Sequence, residues 1–194
     1  MHPLARLPAG VERPLFLCAL AVSLAAMAAM AVVGRPLETT AAPHGIGSYE
    51  FAGDAAAARQ LLASWDAAAK IRAGFSLGID YLFLVGYSTL IAMACLWAVQ
   101  GFRGRLVRRL GVFLAWGQWM AGTFDALENA ILLAMLLGAP ADPWPALARL
   151  CAVLKFTLVG SGLLYSAAGA AVRLLSCFRP KQGGEVGQVG ELEW

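Results

Sequence analysis

The chain has 194 residues, 60% of them hydrophobic and only 14% charged, with a net charge of +3 and a mean hydropathy of +0.68. This composition excludes an ordinary soluble domain, and basic residues that are not massed on one soluble face exclude a nucleic-acid binder. The length suffices for one domain, nearly all of it consumed by membrane spans.

Four stretches meet the roughly 20-residue requirement for a lipid-crossing helix. The first, residues 14–33, follows Arg6 and Arg13, as a secretory signal would. Its apolar run exceeds the about 7–15 residues of a signal core, so an uncleaved span is expected. A long loop, 34–74, comes next. Within it Gly45-Ile46-Gly47-Ser48-Tyr49-Glu50-Phe51-Ala52-Gly53 reads as a short extended piece bracketed by glycines, carrying Glu50 over the helix ends. Residues 54–72 then read as one amphipathic helix. Ala58, Leu61, Leu62, Trp65 and Ile71 lie on or near one face, Asp54 serves as N-cap, and Asp66 and Lys70 form an i,i+4 pair. Such a helix lies on the outer leaflet or closes over the bundle mouth, the first being the simpler reading. The remaining spans cover 75–99, 110–137 and 147–177, and the glycine- and glutamate-rich tail 181–194 is expected to be disordered and cytoplasmic.

Orientation follows from lysine and arginine placement. Nine of these residues fall on one side, among them Arg103, Arg105, Arg108 and Arg109 in one short connection, against five on the other. Both termini are therefore expected in the cytoplasm, the 34–74 loop outside, and the protein in the cell's inner (plasma) membrane. The expected fold is all-α: residues 1–180 form an antiparallel four-helix membrane bundle with an interfacial or capping helix in its first loop.

Several chemistries lack their residues. Cys18, Cys95, Cys151 and Cys177 form no C-x-x-C and none lies in the outer loop, which argues against disulfide exchange. His2 and His44 stand outside every span, leaving no intramembrane histidine pair for haem and no zinc cluster. Gly160-Ser161-Gly162 resembles a serine-protease signature, but no histidine at that depth can act as base. These small residues, continued by Ser166 and Ala170, read as a close-packing surface.

What stands out is a polar layer within the apolar spans. Helical rise places Asp80, Asp125, Glu128 and Lys155 roughly 7–18 Å below the outer boundary. Asp125, Glu128 and Asn129 share one helix face, extended inward by Gly122 and Gln118; Ser76, Asp80 and Tyr87 align on the second span; Lys155, Gly162 and Ser166 align on the fourth. Charges at membrane depth face a partner, a cavity or a ligand. Three carboxyls meet one ammonium there, with Glu50 hanging above and Arg149 at the rim. The unpaired acid keeps its proton or awaits a cation.

At these residues the chain resembles a group of bacterial four-span integral membrane proteins. The matching features are the Gly45–Gly53 run, the Asp80-Tyr81 pair and Asp125-Ala-Leu-Glu128-Asn129, and the likeness extends over most of the chain from Arg35 onward. It implies topology and no chemistry. The layout also resembles eukaryotic tetraspan junction proteins, whose outer-loop cysteine pair is missing here.

The leading expectation is a pocket open to the outside that binds a small cationic or amphipathic ligand or a lipid headgroup, lined by Asp80, Tyr87, Gln118, Asp125, Glu128, Asn129, Lys155 and Glu50. Alternatives are an intramembrane enzyme using Asp125 and Glu128 as acid and base, a proton-coupled transporter or its subunit, and a structural network that fixes helix register. The sequence calls for no cofactor and no resident metal, although oxygen ligands would suit magnesium, calcium or manganese in the enzymatic case. Partners that fit are membrane lipids, such a ligand and a second copy of the chain.

Overall fold

The computed structural model describes residues 2–177, so the tail 181–194 lies outside the described residues. Six helices follow one another: α1 (Ala9–Gly34), α2 (Ile46–Glu50), α3 (Ala55–Ala63), α4 (Ala67–Val99), α5 (Arg105–Leu137) and α6 (Trp144–Cys177). The fold is all-α, with no strand among the described residues. Of the six, α1, α4, α5 and α6 are long and apolar enough to cross a membrane.

The arrangement is uneven. Helices α4, α5 and α6 all pack on one another, whereas α1 has only α4 as a substantial long-helix neighbour. Only 17% of the apolar stretch of α1 is buried, against 44% for α4. The α1–α4 contact is made by small groups. Ala19, Ser23 and Ala26 are buried on one face of α1, and a Cβ at Gly86 of α4 would collide with Ser23. Close backbone approach of this kind is how helices associate where lipid removes the hydrophobic drive.

Small residues also set the α6 contacts, at some of the expected positions and not at others. Gly160 has open space around it and Ala170 is exposed. The tight positions are Gly162, against Gln118 and Ile91, and Gly169, against Ala98. They lie seven residues apart, two turns of helix, and so face the same neighbours.

The first loop departs from expectation in two ways. The Gly45–Gly53 run is helical at its centre, as α2, and not extended. Gly45 at φ 55° and Gly53 at φ 80° turn the chain into and out of it, a backbone region open mainly to glycine. Residues 54–72 form two helices and not one. The Asp66 backbone is extended (ψ 177°), and its carboxylate accepts the Ala69 N–H at 2.7 Å, which starts α4 there. Asp66 therefore caps instead of pairing with Lys70, the second span begins near 67, and Ile71 points outward at 74% exposure.

The apolar face of α3 does not lie on a leaflet. Ala58, Leu61, Leu62 and Trp65 join Leu37, Tyr49, Leu132 and Ala148 in one buried cluster that closes the bundle at this end. This is called the loop end; the opposite one, at the α4–α5 turn, is the arginine end.

Candidate functional site

The site hangs from α5. Asp125, Glu128 and Asn129 occupy one helical face, and all three are buried. Lys155 of α6 meets them: its Nζ donates to Asp125 Oδ1 at 2.8 Å and lies 2.9 Å from Glu128 Oε2. The two contacts differ in kind. The Asp125 contact is a directed hydrogen bond, and its second oxygen accepts from Tyr87 Oη at 2.9 Å. Glu128 meets the ammonium as an ion pair and stands beside the Glu50 carboxyl. Glu128 is fully buried, so Coulomb attraction to Lys155 is its main compensation.

Asp80 of α4 sits apart from the ammonium. Its Oδ2 accepts from Asn129 Nδ2 at 2.6 Å, and among the described residues it has no cationic partner. Adjacent Tyr81 turns the other way and donates to the Ala126 carbonyl at 3.0 Å, tying α4 to α5 beside the site.

Helices α2 and α3 of the first loop cover the loop end as a lid, and this lid contributes Glu50, whose Oε2 lies 3.9 Å from Lys155 Nζ. Burial pushes the Glu50 carboxyl above its ordinary value, an effect partly offset by Lys155. Around it the lid is pinned by polar contacts. Tyr49 Oη donates to the Leu132 carbonyl of α5 at 3.2 Å, and Trp65 Nε1 to the Leu37 carbonyl at 2.9 Å. Arg59 donates to the Pro140 carbonyl at 2.8 Å, and Asp142 accepts the Ala55 N–H at 3.1 Å, joining the lid to the α5–α6 turn.

Beside this cluster runs a cavity of about 440 Å³. Its polar wall includes Glu50, Asp80, Tyr87, Asp125, Asn129 and Lys155. Met30 of α1, Phe83 of α4, and Phe156, Val159 and Leu163 of α6 line the rest. Because α1 does not pack on α6, the cavity occupies the gap between them. Phe156 and Leu163 are each about half exposed, so this wall borders the zone that lipid chains would fill. Along α4 the lining runs from Ser76 to Ile91, about 22 Å of helix.

Of the eight residues expected at the site, the structure gathers six around the cavity, namely Glu50, Asp80, Tyr87, Asp125, Asn129 and Lys155. Glu128 stands directly behind Lys155 and does not line it. Gln118 is elsewhere: its amide donates to the backbone carbonyls of Leu158 at 2.9 Å and Leu114 at 3.3 Å, joining α5 to α6. Ser161 bonds only within its own helix, to the Thr157 carbonyl.

Sequence reasoning missed the apolar half of the site and the lid anchor Tyr49. One signal was available for Ile46, which lies four residues before Glu50 and lines the cavity with it, as helical spacing would demand. His2 stands outside every span, yet it is buried, its ring 4.7 and 4.5 Å from those of Trp116 and Trp119 of α5. Burial there lowers the pKa of His2.

Among the described residues, no group of three or more histidines, cysteines or carboxylates is placed to hold a metal ion. The acids converge on an ammonium, which occupies the place a cation would take. Cys18, Cys95 and Cys151 are free thiols. Comparison with protein-family models, with curated proteins and with solved structures returns no match.

Proposed function

We propose that the loop-end cavity binds an amphipathic molecule with a cationic head, and that the protein does so as an integral protein of the inner (plasma) membrane. The observation that carries this reading is Asp80, a half-buried carboxylate with no counter-ion among the described residues, on the wall of a largely apolar cavity. Lys155 is already engaged by Asp125 and Glu128, with Glu50 at the edge of the same cluster, so a second cation would find Asp80 available. Phe83, Phe156 and Leu163 suit an alkyl chain, and about 440 Å³ falls within the range of small-molecule sites. A charge at this depth is costly unless something answers it.

The excess of lysine and arginine around the arginine end supports cytoplasmic termini and an outward-facing loop end. A cysteine replacing Ser64 is then expected to react with an impermeant thiol reagent on intact cells, and one replacing Gln100 is not. The reverse labelling pattern would overturn this orientation.

The binding reading is tested by melting the full chain in lipid nanodiscs with dodecyltrimethylammonium or with dodecanol. The cationic probe is expected to raise the melting temperature of the wild type and the neutral probe to leave it unchanged. Asp80→Asn keeps the hydrogen bond to Asn129 and is expected to abolish the difference. Equal responses to the two probes, or an unaltered Asp80→Asn response, would leave the polar layer as a scaffold.

A further inference from the structure

We infer that the cleft at the α4–α5 turn is a second binding site, separate from the loop-end cavity, for the phosphate group of an anionic phospholipid. The cleft, of about 510 Å³, is lined by Arg103, Arg105, Arg108 and Arg109 together with Val99 and Val112. Arg105, Arg109 and Val112 stand at i, i+4 and i+7 on α5 and so share one face, and Arg103 reaches it from the turn.

Two arginines elsewhere in the molecule are tied into the fold by their side chains. Arg59 donates to the Pro140 carbonyl, and Arg173 to the Trp97 carbonyl and the Gln100 side chain. The four cleft guanidiniums make no hydrogen bond or ion pair with another described residue. No acidic residue occurs between Asp80 and Asp125. Glu12 lines a neighbouring groove that shares Val99 and Val112, and it pairs with none of the four.

Like charges crowded into seven residues repel one another unless an anion lies between them. Guanidinium groups match phosphate oxygens in geometry, two N–H bonds to one group. The backbone adds to the attraction. Gly104 gives α5 no side-chain cap, and its first turn holds no acid, so the positive end of the helix dipole points into the cleft region. The turn is held in shape by Tyr165 of α6, whose hydroxyl donates to the Val107 carbonyl at 3.0 Å and whose ring packs 5.2 Å from Phe102.

The lipid, as opposed to a dissolved phosphate, is favoured by the surface just below. Leu106, Leu110 and Phe113 are 80%, 46% and 68% exposed, one turn apart along α5, where acyl chains would lie beside a headgroup held by the arginines. Basic pockets beside membrane helices recognise anionic headgroups in this way.

The test is native mass spectrometry of the full chain, released from mixed micelles of equal parts phosphatidylcholine and phosphatidylglycerol. Wild type is expected to retain phosphatidylglycerol over phosphatidylcholine. The triple variant Arg105→Gln/Arg108→Gln/Arg109→Gln is expected to lose that preference by about tenfold or more. Arg59→Gln/Arg72→Gln/Arg149→Gln, which removes the same charge at the loop end, should keep it. Replacing the three cleft arginines by lysine should restore part of it, which rules out misfolding as the cause. Inorganic pyrophosphate is the second probe. If it binds wild type with the same arginine dependence and displaces the lipid, the phosphate site stands with a soluble anion as its occupant. If wild type retains neither probe, or the triple glutamine variant retains both unchanged, the proposal fails.

Discussion

At the loop end three carboxyls, Glu50, Asp125 and Glu128, gather around the single ammonium of Lys155 beneath a folded lid, and Asp80 stands beside them on the cavity wall. At the arginine end four guanidiniums stand exposed on the α4–α5 turn and the first turns of α5, with no hydrogen bond or ion pair among the described residues. The contrast separates two meanings of charge in a membrane protein. Buried charge is bound into the fold, so changing it disturbs stability first and binding second. Exposed interfacial charge contributes little to stability, and its effects are felt in topology and in what it attracts.

The largest consequence is expected at Lys155. Lys155→Met leaves Asp125 and Glu128 buried without their counter-ion, and stability in micelles should fall by about 3–5 kcal/mol. Chemical denaturation of the variant reads this directly. A loss below about 1 kcal/mol would mean that the carboxylates are hydrated and that the two ends are less different than described.

A smaller effect is expected at the lid. The carboxyl of Glu50 has a folded pKa raised by burial, so the folded state binds its proton more tightly than the unfolded chain does. Its contribution is full below the ordinary glutamate range and is lost as pH rises through the raised folded value. Hydrogen exchange of α2 and α3 should therefore quicken as pH rises through that window, beyond the intrinsic pH trend. Glu50→Gln should flatten the excess. If wild type and variant follow the same profile, Glu50 does not couple the lid to the site.

The smallest effect belongs to the arginine end. Arg105→Gln, Arg108→Gln and Arg109→Gln should each change stability by no more than about 0.5 kcal/mol, measured in micelles of neutral detergent. A larger loss from any one of them would show that its guanidinium is part of the fold.

Much of this contrast was legible in the sequence because both ends depend on short-range rules. The i, i+3, i+4 spacing of Asp125, Glu128 and Asn129 fixed their common face, and hydropathy located the four spans. Helix starts were less legible. Asp66 could be a surface partner for Lys70 or an N-cap, and it caps α4 beside Trp65, whose indole N–H is held by the distant Leu37 carbonyl. Gln118 lies on the polar stripe by phase, but Gly162 lets α6 approach so closely that its amide is taken by the Leu158 carbonyl. The apolar wall of the cavity was not legible at all, since Met30, Phe156 and Leu163 look like lipid-facing residues until the gap between α1 and α6 is seen.

If this gap and its polar wall form a ligand site, a density map of the full chain extracted into nanodiscs with its native lipids should show it. Elongated density is expected between Met30, Phe156 and Leu163, with its head within hydrogen-bonding distance of Asp80 or Glu50. A map in which α1 closes onto α6 and Asp80 is satisfied by protein groups alone would contradict the ligand-site reading.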